Sequence, residues 1–137
     1  MRINIVTITL SLPPPELRSN ARCHWAAKCR ATKKYRADAY VLTREALGTQ
    51  RPMLKDATAA VYFFFADRRS RDKINLNMSL KAAIDGMVDA GLLLDDRWLT
   101  MLPPHVGYDK ARPRVVIEVR NYKYEAREPR RDTQCQK

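Results

Sequence analysis

The chain has 137 residues, room for one compact domain and not for two. Apolar residues at 45% with only four glycines exclude a disordered or fibrous chain, and no run of about 18 apolar residues is present to form a spanning helix. Lys and Arg number 26 against 15 Asp and Glu, a formal charge of +11 that points to a polyanionic partner, nucleic acid before an anionic membrane surface.

Residues 2–11 alternate Ile3, Ile5, Thr7 and Thr9 with Asn4, Val6, Ile8 and Leu10, the pattern of a β-branched strand buried on both faces. Pro13, Pro14 and Pro15 end it. This alternation does not make the apolar core of a signal peptide, so a cytoplasmic location is expected. Residues 16–30 read as a basic loop. The spacing of Tyr35, Ala39, Leu42 and Ala46 predicts a helix from Lys33 to Leu47, stopped by Gly48. Residues 57–65, ATAAVYFFF, read as a second strand.

An arginine-rich loop, Ala66–Lys73, precedes a second helix predicted from Leu76 to Ala90. Leu76, Leu80, Ala83, Ile84, Met87 and Val88 form its apolar stripe, Asn75 or Asn77 is its N-cap, and Gly91 is its stop. A third strand runs from Trp98 to Gly107, interrupted by Pro103 and Pro104, and a fourth from Arg114 to Asn121. The expected order is β-α-β-α-β-β: an α/β (α+β) single domain over residues 1–121. Two helices pack on a four-stranded mixed sheet, and the last two strands form an antiparallel hairpin. Residues 122–137 read as a basic, polar, disordered tail.

The charge is uneven. Residues 1–50 carry nine basic residues against three acidic, residues 51–100 eight against seven, and residues 101–137 nine against five. All seven central acids are Asp: Asp56, Asp67, Asp72, Asp85, Asp89, Asp95 and Asp96. Short carboxylates suit turns and caps, and they also suit hard divalent cations. Basic flanks around central carboxylates are what a DNA-cutting enzyme needs. Cations hold phosphates, and acids hold a metal that cations would otherwise repel.

The stretch from Asp67 to Asp96 concentrates this chemistry. Asp72 precedes the second helix, and Asp95 and Asp96 follow the next turn. The two ends meet if the third strand starts beside the end of the second. On composition alone Asp85 and Asp89 are solvated helix positions and the other acids are turn residues.

The block D67-R-R-S-R-D72-K-I74-N75, followed by K81-A-A-I-D85-G-M-V-D-A-G91-L-L-L-D95-D96, resembles the RusA-like Holliday junction resolvases common in phages and prophages. That family has an Arg-rich stretch, D-x-D-N, a helix with Lys and Asp, and a small-residue turn ending in D-D. The segment N20-A-R22-C-H24-W25 before a basic helix adds to the likeness, which spans residues 3–121. The resemblance implies a dimeric, Mg²⁺-dependent endonuclease (Mn²⁺ serving in its place) that cuts four-way DNA junctions symmetrically. It implies metal ligands Asp72 and Asp96 with Asp95 beside them, Asn75 as the motif Asn, and Lys81 at the scissile phosphate or attacking water. One position departs. The second Asp of D-x-D-N is Ile74, and a hydrocarbon cannot ligate Mg²⁺. Either Asp67, Asp95 or water fills the vacancy, or activity is low, or the protein binds junctions without cutting them.

Arg68, Arg69 and Arg71 are expected to contact phosphate, and Arg22, Lys28, Arg30, Lys33, Lys34 and Arg36 to grip the duplex arms. Trp25 is expected to pack on its own domain, the other option being to stack on an unpaired base. His24 and His105 lack visible partners. Cys23, Cys29 and Cys135 match no common zinc spacing and read as free thiols. No P-loop or dinucleotide fingerprint occurs, so no nucleotide cofactor is expected.

Overall fold

The computed structural model of the chain describes residues 5–18 and 21–121. In chain order these form β1 (Ile5–Leu10), α1 (Trp25–Leu47), β2 (Ala57–Phe65), α2 (Lys73–Met78), α3 (Lys81–Asp89), β3 (Leu99–Met101), β4 (His105–Tyr108) and β5 (Arg114–Arg120). Single 3-10 turns stand at Pro15–Leu17 and Asp96–Trp98. The expected tail, residues 122–137, lies outside the described residues. The fold is a mixed α+β domain, and no helix among the described residues is long and apolar enough to cross a membrane.

β5 is the middle of an antiparallel trio. It pairs with β1 through Ile8↔Ile117 and with β2 through Val61↔Ile117. β3 and β4 both pair with β2 in parallel, one after the other along the same edge, Ala57↔Leu99 and then Phe65↔Tyr108. Pro103 and Pro104 separate them. Proline has no N–H to give a ladder, so the predicted third strand becomes two short edge pieces. The sheet therefore has five strands rather than four. The predicted terminal hairpin does not form either: β4 and β5 flank β2 on opposite sides. A parallel partner for β2 requires a crossover, and α2 with α3 supplies it.

Strand alternation sets the core. Val6, Ile8 and Leu10 of β1, Val115, Ile117 and Val119 of β5, and Val61, Phe63 and Phe65 of β2 are buried on one face. Ile5, Thr7 and Thr9 lie exposed on the other, so β1 is buried on one face and not on both. α1 and α3 pack on each other and close the core with Tyr35, Ala39, Leu47, Leu80, Ala83 and Met87.

α1 starts at Trp25, well before the predicted Lys33. His24 caps it, Nδ1 accepting the N–H of Ala26 at 3.2 Å. Its first turns are built from Ala, Lys and Arg, good helix formers with no apolar stripe to betray them, and its first buried residue is Tyr35. The buried stripe then runs Tyr35, Ala39, Thr43, Leu47, whereas Ala46 is exposed. The second predicted helix is two helices. Its cap is Asp72, whose Oδ1 accepts the N–H of Ile74 at 2.9 Å, so Asn75 and Asn77 lie inside α2 rather than at its start. The break falls at Ser79, whose hydroxyl donates back to the carbonyl of Leu76 at 2.6 Å.

Candidate functional site

α3 buries Ala83, Ile84 and Met87 against the core, which turns Lys81 and Asp85 outward, one helical turn apart. Lys81 Nζ donates to Asp85 Oδ1 at 2.8 Å and also to Asp96 Oδ2. Asp96 reaches Lys81 because the preceding segment is anchored. Leu92 and Leu93 are fully buried. The N–H groups of Met53 and Leu54 donate to the carbonyls of Gly91 and Leu92 at 2.9 Å, and Leu94 N–H donates to the Leu54 carbonyl at 3.1 Å. With that strap fixed, Asp96 leaves it facing Lys81 at the start of α3.

The charges of the cluster reinforce one another. Hydrogen bonds to Asp85 and Asp96 hold the Lys81 ammonium above its ordinary pKa. Asp95 Oδ1 caps the 3-10 turn at the Arg97 N–H, and Oδ2 pairs with the Arg97 guanidinium at 3.1 Å.

The other half of the motif lies elsewhere. Because β3 runs parallel to β2 with Leu99 opposite Ala57, the chain between α3 and β3 stands at the start of β2. Asp72 follows its end. Asp72 and Asn75 line a cleft of about 550 Å³ together with Asp67, Arg69, Arg71 and Arg18. Lys81 and Asp85 line a separate groove of about 540 Å³ with Arg18, Lys28 and Thr32. Arg18 touches both. Asp67 is committed within its own loop. It accepts the N–H of Arg69 at 3.0 Å and the Arg71 guanidinium at 2.8 Å, and both hold its pKa low.

Among the described residues no three carboxylate, histidine or cysteine side chains form a group that could hold a metal. The three-acid site implied by Asp72, Asp95 and Asp96 is thus not assembled in this arrangement. A two-acid site is. Asp85 and Asp96 share one cation, the Lys81 ammonium, and Mg²⁺ is commonly held by one or two carboxylates with water completing its shell. Asp85 is the residue the motif reading passed over. Its signal was present as the four-residue step from Lys81.

Ile74 is 72% exposed on α2. Arg22, Lys28, Arg30, Lys33 and Lys34 are exposed before and along the first turns of α1. Arg36 is not free with them, since its guanidinium clasps Asp89 through two bonds at 2.6 and 2.9 Å. Trp25 does not pack on its own domain. It is 72% exposed, with the His24 ring beside it. His105 stacks on Tyr62 at 5.0 Å between ring centres. Cys23 and Cys29 are free and exposed.

No protein-family model matches the chain. An uncharacterized protein of Xylella fastidiosa (strain Temecula1 / ATCC 700964) is 33% identical over 93 residues, which cover 66% of this chain and 60% of that protein. The chain spans about three fifths of the length of that relative.

Proposed function

We propose that this protein is a RusA-like, Mg²⁺-dependent endonuclease that acts on four-way DNA junctions as a homodimer in the cytoplasm. The observation that carries the reading is the bridge of Lys81 between Asp85 and Asp96, opening on the groove that Lys28 and Arg18 also line. A cation already sits where two carboxylates converge, and cations without an ion pair among the described residues stand beside it for phosphate. Asp85 and Asp96 would hold the metal, which when bound supplies Lewis-acid chemistry at a phosphodiester. Lys81, released from one carboxylate, is then placed to contact a phosphate oxygen. Lys28, Arg30, Lys33 and Lys34 along α1 would hold the flanking backbone without reading sequence. A two-fold dimer suits a substrate that needs two paired nicks.

A second reading, a junction-binding protein with little or no cleavage, is favoured by Ile74. It is exposed beside Asp72, where the family motif carries a carboxylate. One assay separates the two. Purified protein is incubated with a labelled four-way junction, a linear duplex and a single strand, with and without Mg²⁺. Mg²⁺-dependent nicking of the junction alone, lost in Asp96→Asn, supports the nuclease. Tight junction binding without nicks supports the second reading. No binding to any DNA at low salt overturns both.

A further inference from the structure

Two loops meet at the end of the sheet away from Lys81 and are organised in the same way. Tyr108 ends β4 opposite Phe65 at the end of β2, and the N–H of Asp109 donates to the Phe65 carbonyl at 2.8 Å. In the loop after β2, Asp67 caps the turn and pairs with Arg71, whose guanidinium lies 3.6 Å over the Phe65 ring. In the turn after β4, Asp109 accepts the N–H groups of Ala111 and Arg112 and pairs with Arg114, which lies 4.2 Å over the Phe64 ring.

The first loop spends Asp67 on Arg71 and Asp72 on the α2 N-terminus, and the second spends Asp109 on Arg114, each of these arginines lying over an aromatic ring. Each loop then leaves two cations without an ion pair among the described residues: Arg68 and Arg69 in the first, Lys110 and Arg112 in the second. Between them stands Tyr108, 46% exposed, with the Arg68 guanidinium 5.1 Å over its ring. A half-exposed ring extended by a planar cation is a surface on which a nucleobase stacks, and the three remaining cations match the phosphates on either side. A duplex keeps its bases stacked on one another and cannot use the ring.

We propose that this end of the sheet binds an unpaired stretch of DNA, Tyr108 with Arg68 stacking on a base and Arg69, Lys110 and Arg112 holding its phosphates. The site rests on the nucleic-acid reading but is separate from the Lys81 cluster and takes a different part of the substrate.

The test uses fluorescence anisotropy with the full-length protein, a single strand of about 16 nucleotides and a duplex of the same length. Tyr108→Ala is expected to weaken single-strand binding about 10-fold while duplex binding changes less than about twofold. Tyr108→Phe keeps the ring and is expected to bind the single strand as the unmodified protein does. Arg112→Gln is expected to reduce the slope of log affinity against log salt on the single strand by about 0.7. Thermal melting confirms that the variants fold. The inference is overturned if Tyr108→Ala leaves single-strand binding intact or weakens both DNAs equally, or if Tyr108→Phe loses as much. Absence of binding to every DNA would overturn the nucleic-acid reading as well. An insensitive Tyr108 with duplex and junction binding intact would overturn only this site.

Discussion

Lys81 and Asp96, fifteen positions apart in sequence, are hydrogen-bonded across the groove beside α3, with Asp85 on the other side of the same ammonium. The pair is exposed, so its contribution to folding is small, whereas the proposed nuclease reading gives it a direct part at the phosphate. Lys81→Met is therefore expected to lower the melting temperature by about 5 °C at most. It is expected to reduce Mg²⁺-dependent junction nicking about 100-fold or more. Melting curves and single-turnover cleavage of a labelled junction check both. A large loss of stability with cleavage intact would show that the cluster is architectural.

Ile74 and Asp72 test which cleft holds the metal. It is exposed in the first turn of α2, so Asp there disturbs no core and sits well beside the helix N-terminus. With the metal held by Asp85 and Asp96, Asp85→Asn is expected to abolish Mg²⁺-dependent cleavage, whereas Ile74→Asp and Asp72→Asn are expected to leave it largely unchanged, since Asp72 lines the other cleft. Asp72→Asn keeps the fold, because Asn caps a helix about as well as Asp. Asp72→Ala is expected to cost about 1 kcal/mol through the lost cap. Loss of junction cleavage in Asp72→Asn, or a gain in Ile74→Asp, would place the metal at Asp72 instead.

Gly86 marks the closest approach of α3 to α1. A Cβ there would collide with the backbone carbonyl of Arg36 and stand 2.9 Å from Ala39 Cβ. Backbone cannot step aside as a flexible side chain does. Gly86→Ala is expected to destabilise by about 1–3 kcal/mol, although Ala is the better helix former by about 1 kcal/mol. Urea denaturation measures it, and a stability equal to or above that of the unmodified protein would contradict the contact.

The Arg36–Asp89 clasp joins the same two helices and carries a pH signature. The hydrogen bond from Arg36 holds the Asp89 carboxyl below its ordinary value. A carboxylate whose folded pKa is depressed contributes stability that is fully present above its unfolded pKa of about 3.9. That stability is lost as pH falls through the folded value. Between about pH 5 and about pH 2 the melting temperature of Asp89→Asn is expected to fall less steeply than that of the unmodified protein. At neutral pH Asp89→Asn is expected to be the less stable of the two. Parallel curves over the acid range would show that the clasp does not form in solution.

Local patterns carried much of this protein. Alternation in β1 and β5 marked the core residues, and the stripe from Leu80 to Met87 marked the face of α3. The four-residue step from Lys81 to Asp85 was already an ion pair, because helix geometry alone brings such positions together. The start of α1 was not legible, since its first turns project past the core and need no apolar stripe. Nor were the partners of β3 and β4. Alternation says which face of a strand is buried, not which strand lies beside it. That choice, parallel pairing of both with β2, fell to the crossover of α2 and α3 and to the buried Leu92 and Leu93. It decides which acids meet: Asp96 joins Asp85 at Lys81, while Asp72 faces the other cleft. Sequence by itself determined most of the helical and extended segments, the basic composition and the inventory of carboxylates. Only the tertiary structure decided which of those carboxylates share a cation, because long-range pairing is set by packing that no local window contains.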